Sequence, residues 1–271
     1  MTYHSIHVDG TEYGTNDHIG LEQDLEWLNS AGWRVISIQM LVDALLSRRL
    51  AELPERSVVL TFDDGSWFDW HDLPHPHFGL QRGMVGILRD FQNRHGTDAQ
   101  PCLHATSFVI VSPLAREALD QSCLIGRGWW GQDWWGHAHR SGLISIASHS
   151  WDHRHASLPD ALRFDQRPYG DFQALADFAE CDWQVRQAQS HLNQVLQEPP
   201  APVFAYPFGD VPEILVNDYF PRFGKELGLR AAFTTDPEAV TPDSGRWQLP
   251  RFVFRRDWST PEALSALLRN I

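Results

Sequence analysis

Two adjacent carboxylates, Asp63 and Asp64, are the side chains of this sequence best suited to chemistry. They follow the apolar run 58–60 and precede Gly65, a pattern that predicts a buried strand ending in a glycine turn. Neighbouring carboxylates repel each other, and a divalent cation allows one to act as a ligand and the other as a base. An ordinary Asp-Asp-Gly turn is the simpler interpretation, because Asp and Gly are frequent in turns. The motif alone leaves both open.

A second set of possible ligands follows another predicted strand. Residues 144–148 (ISIAS) run into His149 and His153. Neutral imidazole binds zinc and other late divalent metals well, although a histidine pair at this spacing also occurs by chance on helix surfaces. Together the two motifs offer two nitrogens, one carboxylate oxygen and a spare carboxylate. That is the ligand set of a hydrolytic metal site.

Both motifs resemble those of a known family. TFDDG at residues 61–65 and HSWDH at residues 149–153 are similar to the first two motifs of the polysaccharide deacetylases, carbohydrate esterase family 4. Tyr3-His4 resembles the end of the first strand in the branch that acts on poly-N-acetylglucosamine, which makes this branch the closest. The similarity extends over roughly residues 3–268.

The resemblance implies an activity and a set of roles. The protein would be a metal-dependent hydrolase that removes an N-acetyl or other N-acyl group from an amino-sugar-containing glycan or a small glycoconjugate. Asp64, His149 and His153 would hold the metal, most simply Zn²⁺, with Co²⁺, Ni²⁺ or Mn²⁺ as alternatives. Asp63 would act as the general base.

The substrate groove is indicated by a third motif and by tryptophans. The sequence FAYPFG is similar to the strand-end motif that lines the family's groove, which implies groove positions at Tyr206, Pro207 and Phe208. Indole rings in loops suit stacking on sugar faces, and Trp67 is the candidate that directly follows the Asp-Asp motif. Packing of the loops is the more common use of any single tryptophan, but we expect at least one to line the cleft.

Two positions depart from the family pattern. Ala205 stands where the family usually has an arginine that orients the base, and no histidine follows His191, so the usual general acid is missing. Arg251 is the candidate replacement for the arginine, and His4 is the candidate acid. Further candidates for the acid are His75, His77 and His155.

The order of predicted elements indicates an α/β fold. Strands are predicted at 35–38, 57–62, 106–111, 144–148, 203–206, 231–234 and 252–254, and helices at 21–31, 40–49, 78–95, 173–197 and 261–268. Alternating strands and helices favour a parallel sheet, which collects functional residues at the strands' carboxyl ends. The resemblance implies a distorted (β/α) barrel of about seven parallel strands. We expect a single domain, 1–271, with long loops at 66–77 and 126–140.

Composition narrows the partners and the compartment. The net charge of −13 disfavours nucleic acid and anionic membranes, and is compatible with a neutral or partly cationic glycan. The three cysteines form no CxxC pair, which disfavours a thiolate zinc site. No signal peptide or transmembrane segment is recognisable, so we expect a cytoplasmic protein, or a secreted or periplasmic one if an export signal was removed.

Two other functions use the same residues. An iron oxygenase with two histidines and one carboxylate has the same ligand types. Such an enzyme would have an all-β jelly-roll fold, whereas this sequence alternates strands and helices. A catalytically weak carbohydrate-binding protein would keep the fold and the metal, and the missing arginine and late histidine leave this alternative open. Acetate release with added metal would separate it from a deacetylase.

Overall fold

Parallel strands dominate the computed structural model, which describes residues 1–165 and 167–270. The strands are β1 (Thr2–Tyr3), β2 (Arg34–Val35), β3 (Ser57–Val58), β4 (Leu60–Phe62), β5 (Leu73–His75), β6 (Gly79–Gln81), β7 (Ala105–Val109), β8 (Ile144–Ser148), β9 (Val203–Ala205) and β10 (Ala231–Phe233). Across the described ranges the main sheet has six parallel strands in the order β1-β4-β7-β8-β9-β10. The sheet curls into an α/β half-barrel, which confirms the predicted fold class and differs from a jelly roll.

The seventh predicted strand, 252–254, is replaced by isolated bridges. Parallel bridges join Leu249 to Phe233 of β10 and Val253 to Thr2 of β1. The segment after β10 therefore links the two edges of the six-stranded sheet. A proline within it has no amide hydrogen and interrupts the ladder between the two bridges. The expected count of about seven thus becomes six strands and one bridging segment.

Helices lie between the strands. They are α1 (Asp17–Ser30), α2 (Ile38–Leu46), α3 (Met84–His95), α4 (Pro113–Cys123), α5 (Trp135–Arg140), α6 (Phe178–Cys181), α7 (Gln187–Leu196), α8 (Phe220–Phe223) and α9 (Pro261–Arg269), with π-helical segments at Asp182–Arg186 and Leu215–Tyr219. Short 3-10 helices lie at Tyr13–Thr15, Leu50–Glu52, Trp67–Asp69, Thr97–Ala99, Asp160–Leu162 and Pro207–Gly209. Side chains set several of the starting points: Asn16 caps α1, Ser112 caps α4 and Thr260 caps α9.

Several predicted boundaries were wrong for local reasons. The strand predicted at 57–62 is divided between two sheets as β3 and β4. The helix predicted at 78–95 begins only at Met84, because β6 pairs with β5 as an antiparallel hairpin. The segments 66–77 and 126–140, expected to be long loops, contain a 3-10 helix, β5 and α5. α4 lies outside the predicted helices altogether.

The two faces of the sheet pack differently. One hydrophobic cluster joins Leu21 and Leu25 of α1 to Phe62 and Val109, on the face covered by helices. The opposite face of β7 contributes Phe108, whose ring lies 5.1 Å from the guanidinium carbon of Arg251. The sheet interior therefore holds charge as well as apolar packing, which matters for the site at its carboxyl edge.

Candidate active site

The predicted functional side chains meet at the carboxyl ends of β4 and β8. Asp63 and Asp64 follow β4, and His149 and His153 follow β8. All four line one cavity of about 260 Å³. Parallel strands end on the same side of a sheet, so two motifs some 85 residues apart in sequence come together there.

Three of these residues offer ligand atoms to one point. Asp64 Oδ1 lies 3.8 Å from His149 Nε2 and 3.8 Å from His153 Nε2. His149 Nδ1 donates to the carbonyl oxygen of Ala205 at 2.9 Å, which turns its Nε2 towards Asp64. Within residues 1–165 and 167–270, no donor hydrogen-bonds the carboxylate of Asp64. A buried carboxylate without a donor, facing two imidazole nitrogens, fits a divalent cation.

The electrostatics of the ligand set agree with that fit. Burial raises the pKa of Asp64 to about 8, and the charges of Asp63 and Asp69 add to the shift. Burial also lowers the pKa of His149 and, more strongly, that of His153. The imidazoles are therefore neutral and can act as ligands, whereas the carboxylate needs a nearby positive charge to ionise.

Asp63, unlike Asp64, has a positively charged protein group beside its carboxylate. Arg251 Nη1 and Nη2 donate to its two carboxylate oxygens at 2.8 and 2.9 Å, and both side chains are buried. Burial alone would raise the pKa of Asp63, but Arg251 and His149 outweigh it and hold that pKa well below its usual range. Arg251 Nε is held by the carbonyl oxygen of Thr234 at 3.0 Å. Arg251 thus contacts Asp63 directly, which the methyl side chain of Ala205 could not do.

His4 lines the same cavity. Its backbone N–H donates to Asp17 Oδ2 at 2.7 Å, and its ring stacks on His7 with 4.8 Å between centroids. Burial lowers the pKa of His4 to about 3, and its Nδ1 is buried without a partner among the described residues. Asp17 therefore fixes the main chain of His4, while Arg255 Nη1 approaches the other oxygen of Asp17 at 4.0 Å. The ring of His4 is neutral and borders the same cavity as Asp63 and Asp64.

Left-handed backbone conformations cluster around the cavity. Non-glycine residues with positive φ at these strand ends are Asp64 (74°), Ser150 (68°), His153 (62°), Arg154 (44°) and Phe208 (59°). Such conformations persist where surrounding contacts over-determine them, which is common at functional sites. Gly65 follows with φ of 75°, and a Cβ there would lie 2.4 Å from Val109 Cγ1. The surroundings of the Asp-Asp-Gly motif therefore hold its backbone in this conformation.

The residues expected in the groove are dispersed. Phe208 is 46% exposed, lines the cavity and places its ring edge-on to His153, with 4.4 Å between centroids. Tyr206 and Pro207 are instead buried, and the Tyr206 hydroxyl donates to the carbonyl oxygen of Trp247 at 2.7 Å. Trp67 donates to Asp133 at 2.9 Å and lies outside this cavity.

Trp130 is the tryptophan that lines the cavity. It lies in the segment 126–140, where several tryptophans indicated a region of interest but no motif singled out this residue. Cys123 and His155 also line the cavity, with Cys123 Sγ 3.8 Å from His155 Nε2. The sequence did not indicate Cys123 as a site residue, because it ends α4 and this helix was not predicted.

A family comparison agrees with these features. Residues 99–232 match the family model described as polysaccharide deacetylase. This segment is therefore similar to a polysaccharide deacetylase domain, the class that the first two motifs indicated. The matched segment contains His149 and His153 and begins after Asp64, so the carboxylates join the site through the fold.

Solved structures with this fold cover nearly the whole chain. Deacetylase PplD of Streptococcus pyogenes in complex with acetate has a TM-score of 0.64 and 18% identity, with 99% of this chain and 96% of that chain covered. IcaB from Ammonifex degensii has a TM-score of 0.64 and 17% identity, with 99% and 95% covered. A de-N-acetylase from Aggregatibacter actinomycetemcomitans has a TM-score of 0.61 and 17% identity, with 98% of each covered.

A search of curated proteins finds no match to this chain. None of the helices in the described ranges is both long and apolar enough to span a membrane.

Proposed function

We propose that this protein is a metal-dependent hydrolase that removes an N-acetyl or other N-acyl group from an amino-sugar-containing glycan or a small glycoconjugate. The observation that carries the proposal is the convergence of Asp64, His149 and His153 beside the Asp63–Arg251 ion pair in one cavity. Asp64, His149 and His153 would bind the cation. The ionised carboxylate of Asp63 would supply the base that amide hydrolysis needs.

Three residues would hold the cation, and the donor set indicates which cation. Asp64, His149 and His153 provide one oxygen and two nitrogens, which suit Zn²⁺ first, with Co²⁺, Ni²⁺ and Mn²⁺ as alternatives. When bound, such an ion polarises the amide carbonyl and lowers the pKa of water. The hydrogen bond from His149 Nδ1 to Ala205 keeps the ring oriented for this task.

The chain's own groups would move the protons. Asp63 is the ionised carboxylate of the cavity and accepts a proton from the attacking water, while Arg251 holds it in one orientation through two hydrogen bonds. We assign His4, in the same cavity, to protonation of the leaving amine. The neutral ring of His4 would take up the proton that Asp63 accepts from water and pass it to the leaving amine, and its lowered pKa favours that release.

The substrate follows from the charge and from the cavity wall. An acidic protein with a net charge of −13 suits a neutral or partly deacetylated, cationic glycan. Phe208 offers an exposed ring beside His153 on which a sugar can stack.

Because His4 and Arg251 come from opposite ends of the chain, we infer that residues 1–271 act as one catalytic domain. The Tyr3-His4 motif favours the branch that acts on poly-N-acetylglucosamine.

The direct test is acetate release. The protein is stripped with a chelator, reloaded separately with Zn²⁺, Co²⁺, Ni²⁺ or Mn²⁺, and incubated with β-1,6- and β-1,4-linked N-acetylglucosamine oligomers. We expect metal-dependent acetate release that is abolished in Asp64→Asn. Saturable oligomer binding without acetate release under any metal would instead support the carbohydrate-binding alternative and overturn the enzymatic proposal.

A further inference from the structure

The main-chain carbonyl of Asp64 is held from two sides. Trp130 Nε1 donates to it at 3.0 Å, and the backbone N–H of Ile110 donates to it at 3.2 Å. Asp64 is in a left-handed conformation, and the peptide that carries this carbonyl leads into Gly65, also at positive φ. Because left-handed residues need surrounding contacts to keep them in place, these two bonds fix the direction of the Asp64 side chain.

Trp130 is in turn anchored to α4. Its side chain is only 4% exposed, and its carbonyl oxygen accepts a hydrogen bond from Arg116 Nη1 at 2.7 Å. Asp120, one turn further along α4, accepts the backbone N–H groups of Gly128 and Trp129 at 2.8 and 3.0 Å. The main chain before and at Trp130 is therefore tied to α4 by two charged side chains.

Arg116 has no carboxylate partner within salt-bridge distance in the described part of the chain. It is 2% exposed, its Nη2 donates to Gln132 Oε1 at 2.6 Å, and its guanidinium carbon lies 4.6 Å from the ring centre of Trp135. Burial lowers the pKa of Arg116 to about 10. Burying an unpaired charge opposes folding, so its position is better explained by what it holds than by a contribution to stability.

We propose that Trp130 is a positioning residue for Asp64, and that Arg116 is the positioning residue for Trp130. The inference rests on the proposed function, because it concerns the carboxylate assigned to the cation. Neither residue contacts His149 or His153 through a hydrogen bond that the structure shows. Their effect reaches the ligand set through the backbone of Asp64, whose Oδ1 must stay within reach of both imidazoles.

The test removes the indole N–H while keeping the ring. Trp130→Phe and replacement of Trp130 by the isosteric benzothienylalanine both delete the donor to Asp64. We expect the dissociation constant for Co²⁺, titrated into the metal-free protein by visible absorption, to rise at least about tenfold in both variants. The melting temperature of the metal-free protein should change little in the benzothienylalanine variant. Trp129→Phe is the control, because that neighbouring indole does not bond to Asp64, and its Co²⁺ affinity should match the wild type.

Arg116 supplies the second arm. Arg116→Lys retains a donor for the carbonyl of Trp130, whereas Arg116→Met does not, so we expect near wild-type Co²⁺ affinity in the first and weaker binding in the second. If Arg116→Met fails to fold, the benzothienylalanine variant still decides. Wild-type Co²⁺ affinity in that variant would overturn the inference.

The failure of this inference differs from the failure of the proposed function. A wild-type protein that binds Co²⁺ but releases no acetate contradicts the enzymatic proposal, while the positioning role still stands or falls by the affinities. A wild-type protein that binds no Co²⁺ removes the ligand assignment and overturns both.

Discussion

The two ends of the curled sheet contain cavities of opposite character. At the carboxyl ends, a cavity of about 260 Å³ is lined by titratable side chains and by residues with left-handed backbone conformations. At the amino ends, a larger cavity of about 340 Å³ is lined mainly by apolar side chains such as Trp33, Val58 and Leu268. The larger cavity is the less specialised one, so volume does not identify the functional end. The carboxyl ends are instead distinguished by the possible ligand atoms of Asp64, His149 and His153.

One ion pair connects the two ends. Arg251 lines the apolar cavity, and its guanidinium group reaches Asp63 at the polar one. Thr61 also lines the apolar cavity and accepts a hydrogen bond from Arg251 Nη1 at 3.1 Å. Arg251 and Thr61 therefore lie between the two cavities. Substitutions at the two ends should separate effects on turnover from effects on stability.

The largest effect on turnover is expected from loss of a ligand. His153→Ala removes one of two imidazole nitrogens facing Asp64, and we expect metal affinity to fall by more than about a hundredfold, beyond the loss caused by changing an outer partner of a ligand. Acetate release should fall to background. Metal content after dialysis, measured by mass spectrometry, checks this result. Unchanged metal content would remove His153 from the ligand set.

Asp63→Asn should separate catalysis from metal binding. The variant keeps the shape of the side chain but loses the base, so we expect turnover to fall by about 10²–10⁴-fold. Bound metal should stay at the wild-type level, because Asp63 bonds to Arg251 and is not assigned as a ligand. Loss of metal in Asp63→Asn would contradict the division of roles between the two aspartates.

Arg251→Met should affect both ends. It leaves the carboxylate of Asp63 buried without its partner, and we expect the free energy of unfolding to fall by about 3–5 kcal/mol. Turnover should fall as well, because Asp63 loses its fixed orientation, although less than in Asp63→Asn. Urea unfolding and initial rates measure the two effects. Arg251→Lys is the matched control and should recover part of both; a fully stable and active Arg251→Met would refute the link.

Leu268→Ala tests the apolar end alone and should affect turnover least. Leu268 is buried, lines the apolar cavity and belongs to α9. We expect a loss of about 2–5 kcal/mol in the free energy of unfolding, because truncation enlarges a cavity. Co²⁺ affinity and turnover should both stay within about twofold of the wild type when measured about 20 °C under the melting temperature of the variant. A large drop in metal affinity would mean that the two ends are not independent.

Local sequence predicted the parts of the site that depend on neighbouring residues. The apolar runs before Asp63 and His149 indicated strands, and both side chains lie at strand ends as expected. The helix predicted at 261–268 agrees with α9, because Thr260 caps it and Pro261 fits its first turn. The helix predicted at 78–95 failed, because the hairpin of β5 and β6 depends on cross-strand pairing that periodicity does not reveal.

The sequence by itself determined the donor types, the strand-end positions of both motifs and the parallel α/β class, because these follow from residue chemistry and short-range periodicity. Only the tertiary structure decided that Arg251 reaches Asp63 across 188 residues and that Trp130 reaches Asp64 across 66. In that structure Tyr206, Pro207 and Trp67 do not line the cavity, whereas Phe208 does. The physical reason is that such contacts depend on how the curled sheet closes and how α4 packs, and neither is encoded in the spacing of neighbouring residues.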